Sequence, residues 1–175
     1  MWTDFQKDVQ RYFHNDYKYG KCHMLYCALR HPTLQLIFLG RLSNRGGGIL
    51  SKIAKMRMRK DGIEITFSTQ IGAGLVLSHP YGITVNPGAI LGENVTLFKG
   101  STVGSVRSGK RSGTPVIGSN VVIGTNAFVC GGIRVGNNVL IAANTFVDFD
   151  VPDNSLVYGN PGIIKHKENA TKDYI

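Results

Sequence analysis

The sequence lacks long apolar runs, has few cysteines, and is sparing with charge, and each shortage removes a class of protein. No stretch approaches the ~18 consecutive apolar residues of a membrane-spanning helix. The opening residues, MWTDFQKDVQRYF, lack the basic-then-apolar order of a secretory signal, so a cytoplasmic location is expected. Three cysteines, Cys22, Cys27 and Cys130, are too few and odd in number for a disulfide framework, and they fit a reducing compartment. No two of them form a CxxC pair, so no metal site is expected. There is no P-loop to cradle a nucleotide. No recognition motif accompanies the positive charge, so nucleic acid is not an expected partner. With 42% hydrophobic and 18% charged residues, the chain is globular.

Glycine and lopsided positive charge are abundant instead. Glycine is 22 of 175 residues, well above the usual ~7%, which calls for many tight backbone positions. The net charge is +9, and residues 1–62 hold 12 Lys/Arg against 4 Asp/Glu. The densest run is KIAKMRMRK, 52–60. It reads either as a solvated helix face or as an attraction for something anionic: coenzyme phosphates, an acidic glycan or a membrane surface.

The first 60 residues have helical periodicity. Trp2, Phe5, Val9, Tyr12 and Phe13 fall near one face. CHMLYCAL and PTLQLIFLGRL continue the pattern, with Pro32 suited to a first helical turn. NRGGG, 44–48, reads as a break, and a third helix over about 49–60 carries the basic cluster. After Gly62 the period becomes six. Ile117, Ile123, Val129, Val135, Ile141 and Val147 recur in strict order, each followed by a mostly small residue: Gly118, Gly124, Cys130, Gly136, Ala142 and Asp148. A second series, Val121, Ala127, Ile133, Val139, Thr145 and Val151, runs four positions behind. A helix of period 3.6 cannot hold a strict six. The pattern predicts a parallel β-helix of hexapeptide units, three to a triangular coil, with aliphatics stacked inside and small residues at the bends.

The register breaks twice, between Leu77 and Leu91 and between Val103 and Ile117, each by two residues beyond twice six. The second break, 105–115, is polar and reads as a protruding loop. The first contains His79, at a turn and outside the aliphatic column. Insertions in a solenoid map to loops, often on the binding face, so this neighbourhood is the candidate site. A lone histidine is more often structural, and His14, His23, His31 and His166 have no such context. Cys130 reads either as an acyl-carrying nucleophile or as the small residue of its hexapeptide, and the second reading is preferred.

DGIEITFSTQIGAGLVLSHPYGITVNPGAILGENVTLFKGSTVG, with TPVIGSNVVIGTNAFVCGGIRVGNNVLIAANTFV and VPDNSLVYGNPGIIKHK, resembles the serine acetyltransferase branch of the hexapeptide acyltransferases over residues 61–165. Parallel crossovers are right-handed as a rule, but the resemblance implies a left-handed parallel β-helix over 62–163, with loop 105–115. A small α-helical segment, 1–61, precedes it and a tail, 164–175, follows. The resemblance also implies a homotrimer with acetyl-CoA bound between subunits, and acetyl transfer to a hydroxyl. LSHPYG matches the family's catalytic-histidine context, and Glu64, in GIEIT, stands where the family has its aspartate. His79 is then the general base, since a neutral imidazole suits that task near pH 7, and Glu64 orients it. Gly104 and Ser105 match the family's coenzyme-binding stretch. The pantetheine arm is expected past Gly124, Thr125, Ala142 and Ala143. Lys165 and Lys167 meet the nucleotide phosphates or are merely tail lysines.

Three departures bear on the acceptor. Ser78 replaces the family's substrate-binding Asp, and Gly113 and Thr114 replace its Arg-His pair, so both charges of zwitterionic serine lose a partner. Tyr81, in the same turn, and Asp16, a loose match to another family Asp, complete the expected substrate contacts. The acceptor expected from this is a sugar hydroxyl of a surface polysaccharide or its precursor, with L-serine as the alternative. A structural trimer without chemistry is a third reading, opposed by retention of both His79 and Glu64.

Overall fold

The structure, a computed structural model, describes residues 1–43, 48–60, 62–66 and 69–175. Four helices open the chain: α1 (Trp2–Tyr12), α2 (Lys21–Arg30), α3 (Pro32–Ser43) and α4 (Ile49–Lys60). The sequence periodicity joins CHMLYCAL to PTLQLIFLGRL, but His31 takes extended backbone between α2 and α3. The residue before a proline is pushed out of the helical region, and Pro32 opens α3 at its first turn. The break expected at NRGGG lies, apart from Gly48, outside the described residues. Phe5 and Val9 of α1 are buried, and the Phe5 ring lies 5.0 Å from Phe38 of α3.

Beyond α4 the chain winds into about five coils of a parallel β-solenoid with three faces. Face A stacks β1 (Glu64–Ile65), β4 (Thr84–Val85), β7 (Thr102–Gly104), β10 (Phe128–Cys130) and β13 (Phe146–Val147). Face B stacks β2 (Gln70–Ile71), β5 (Ile90–Leu91), β8 (Val116–Ile117) and β11 (Arg134–Val135). Face C stacks β3 (Val76–Ser78), β6 (Thr96–Phe98), β9 (Val121–Ile123), β12 (Val139–Ile141) and β14 (Ser155–Tyr158). The antiparallel β15 (Ile163–His166) closes face C, so the segment read as a tail begins as a strand. Ala170 and Thr171, further along it, are buried.

The six-residue aliphatics all point inward and are buried, as are the members of the second series. The small residues answer a close approach at the B–C corner. A Cβ on Gly92 would come within 2.6 Å of the Gly118 carbonyl oxygen, and one on Gly118 within 2.6 Å of that of Gly136. Asn94, Asn120, Asn138 and Asn154 hold the left-handed backbone of the same corner, a conformation Asn tolerates better than most residues. Burying Cys130 pushes its thiol up, away from the thiolate a nucleophile needs, which favours the packing role.

Pairing offsets count the two interruptions. Ser78 pairs with Phe98, an offset of 20, and Thr84 with Thr102, an offset of 18. Tyr81 lies beside Lys99, because the Gly100 N–H bonds the Tyr81 carbonyl as the Asn126 N–H bonds that of Lys99. The two extra residues are therefore His79 and Pro80. The second interruption differs from its sequence reading. Leu91 pairs with Ile117 at an offset of 26, and Val116 with Arg134 at 18. One face-to-face connection has gained eight residues, rather than two across two units. Spacing between aliphatics cannot separate a loop of eight from a full unit plus two. That loop is a small hairpin, bridged at Val106 and Gly113. It folds onto the next coil, where the Gly132 N–H donates to the Arg111 carbonyl at 2.9 Å.

Candidate active site

His79 is exposed and has φ +50°, in the left-handed region. Elsewhere among the described residues of the coils, the non-glycine residues with such backbone are asparagines. His14 shares the conformation just after α1, where left-handed residues commonly end a helix. A histidine held this way in a two-residue insertion is the kind of backbone outlier that marks a functional position.

The C–A corner gathers several of the expected residues. Tyr81, Lys99, Thr125 and Ala143 form one row up the stack, linked by the N–H groups of Gly100, Asn126 and Asn144. Coils repeat every ~4.8 Å, so Ala143 stands about 14 Å from Tyr81. Gly124, Thr125, Ala142 and Ala143 line one groove beside this row, together with Phe98 and Leu140. Tyr174 sits against it, its ring 6.2 Å from Phe98. Glu64 begins face A at the foot of the same corner, paired with Thr84. His79 and Glu64 thus share an edge, but no side-chain hydrogen bond joins them, and both are exposed.

Other expected residues lie elsewhere. Gly104, Ser105 and Thr114 meet at the A–B corner, where Asn86 Nδ2 donates to Ser105 Oγ at 3.1 Å and Thr114 Oγ1 to the Gly88 carbonyl at 2.8 Å. Asp16 lines a pocket with Arg11, His14 and Asn94 near the B–C corner, away from His79. A loose match in a helical segment carries no register, so the sequence could not exclude this. Lys165 and Lys167 are exposed, the first in β15, paired with Leu156.

A groove that sequence reasoning missed runs along the foot of face A under α4. Its lining includes Lys55 and Arg59 of α4, Glu64, Thr84, Asn86 and Gly104. The signal was present as the basic run 52–60, but composition does not say which way a helix turns its cations.

Residues 114–148 match the family model described as bacterial transferase hexapeptide (six repeats). Serine acetyltransferase of Synechocystis sp. is 37% identical over 153 residues, 82% of this chain and 58% of that protein. Serine acetyltransferase of Neisseria gonorrhoeae in complex with serine superposes with TM-score 0.75 and 28% identity, over 93% of this chain and 68% of that one. That of Brucella abortus strain S19 in complex with coenzyme A gives 0.73 and 27%, over 95% and 68%. In sequence and in fold the chain is similar to the serine acetyltransferase-like branch of the hexapeptide-repeat acyltransferases. It spans about half the length of the curated relatives it matches. These matches overturn the expectation of a polysaccharide hydroxyl as acceptor, since the relatives and structural neighbours carry the serine acetyltransferase name. That expectation rested on lost charge at Ser78, Gly113 and Thr114.

Proposed function

We propose that this chain transfers an acetyl group from acetyl-CoA to the hydroxyl of L-serine, with His79 as general base. The observation that carries the reading is His79 itself: exposed, left-handed, and inserted at the corner that also bears Glu64 and the Thr125–Ala143 row. The imidazole takes the hydroxyl proton as the serine oxygen attacks the thioester carbonyl carbon. The tetrahedral intermediate then collapses, the C–S bond breaks, and the imidazolium returns the proton to the departing sulfur. Glu64, at the same edge, favours the imidazolium and its orientation. The groove past Gly124 and Ala142 suits the pantetheine arm, being walled by Phe98, Val122 and Leu140. Acetyl-CoA with L-serine is expected to release thiol at a rate saturable in both. Release that ignores serine in favour of sugar acceptors overturns the reading.

The assembly proposed is a homotrimer. Gly104, Ser105 and Thr114 stand at the A–B corner and His79 at the C–A corner, so a neighbour's A–B corner laid against this chain's C–A corner brings them to one site. Face A also presents an aromatic pair to its surroundings, Phe128 and Phe146 at 6.0 Å, with Phe128 exposed. Light scattering is expected to give three times the 19.1 kDa chain mass. A monomer at micromolar concentration refutes the shared site.

A further inference from the structure

We infer that Lys55 and Arg59 of α4 form the subsite that holds the acceptor's carboxylate, an inference that rests on the reading of the chain as a serine acetyltransferase. A zwitterionic acceptor leaving water needs a cationic partner for its carboxylate. Ser78, Gly113 and Thr114 carry no charge, so they cannot supply one. The groove along the foot of face A can. Lys55 and Arg59 are four residues apart, one helical turn, and both line it. Both are exposed, and neither makes an ion pair among the described residues. Among the described residues the opposite lining contributes one carboxylate, Glu64, so there the cations outnumber the anion and favour an anionic group.

The geometry also suits the reaction. The groove starts at Glu64 and Thr84, just past the corner where His79 stands, and extends along face A toward Asn86 and Gly104. An amino acid whose carboxylate lies against α4 can direct its hydroxyl toward that corner. Arg59 offers a planar fork for bidentate contact, and Lys55 a mobile point charge. Neither residue packs in the core, so both can be changed without unfolding the chain.

The test is a double variant, Lys55→Gln with Arg59→Gln, assayed with L-serine, with L-serinamide, which lacks the carboxylate, and with varied acetyl-CoA. The KM for L-serine is expected to rise about ten- to a hundredfold, with kcat and the KM for acetyl-CoA unchanged. Turnover of L-serinamide is expected to stay at the wild-type value, so the preference for serine collapses. An unchanged serine KM overturns the inference. So does a rise in the acetyl-CoA KM instead, which would assign the two cations to coenzyme phosphates. If the wild type does not use L-serine at all, the proposed function fails by itself. Calorimetry with L-serine and with glycerate then decides the subsite. Binding by the wild type that the double variant loses supports it, and equal binding by both, or none by the wild type, overturns it.

Discussion

His79→Asn is expected to lower kcat about 10²–10⁴-fold while leaving the assembly and the KM for acetyl-CoA near wild type. That range is what general-base catalysis typically contributes. Asparagine is the informative replacement because it already holds left-handed backbone at Asn126 and Asn144, two corners up the same edge. The turn is therefore kept, and only the imidazole is lost. His79→Ala confounds the two, since alanine does not readily adopt φ +50°. Glu64→Gln is expected to cost less, because it removes a charge and an orienting group but leaves the base. Steady-state kinetics with L-serine, with circular dichroism as a control on folding, measures both. Near-normal turnover in His79→Asn makes the histidine a turn residue and removes it from the chemistry.

Much of this site was legible in one dimension because a solenoid converts sequence offset into position. A period of six fixes which side chains share a column, so His79 at a break, and Gly124 and Ala142 at matching bends, could be placed before any coordinates. The same arithmetic failed where the chain leaves the period. The gap from Val103 to Ile117 has the length of two units plus two, yet it is one connection with a hairpin of eight added, and only pairing partners reveal that. It failed again in the helices, whose contacts are set by tertiary packing and not by repeat. Asp16, Lys55 and Arg59 could not be given positions relative to His79. The acceptor was misread because charge was counted at aligned positions along one stretch.

The helices also hide a large stability effect. Asp8 of α1 and Arg41 of α3 form a buried pair that joins the helical segment to the first coil. Asp8 is fully buried, and Arg41 is 7% exposed. Arg41 donates from Nε and Nη2 to the two Asp8 carboxylate oxygens at 2.9 and 3.0 Å. The Gly74 and Leu75 amides donate to Asp8 Oδ1, each at 2.8 Å. Arg41 also donates to the carbonyls of Ile71 and Gly72 at 2.9 and 2.6 Å. Every charge and lone backbone group here is matched, so removing either partner strands the other. Asp8→Asn and Arg41→Met are each expected to destabilise the chain by about 3–5 kcal/mol, the usual cost of breaking a buried pair. Joint replacement, Asp8→Leu with Arg41→Met, is not expected to restore stability, since the Gly74 and Leu75 amides and the Ile71 and Gly72 carbonyls still lose their partners. Burial raises the Asp8 carboxyl against the pull of Arg41 and of the Leu75 and Gly74 amides, and Arg41→Met removes the main opposing pull. A raised folded-state pKa means the native state holds the proton longer than the unfolded chain. The Arg41→Met variant therefore loses stability as pH rises from the ordinary carboxyl value of 3.8 toward neutrality. Urea titrations near pH 4 and at pH 7 measure this, and a variant within 1 kcal/mol of wild type at pH 7 refutes the role of the pair as the anchor between helices and coil.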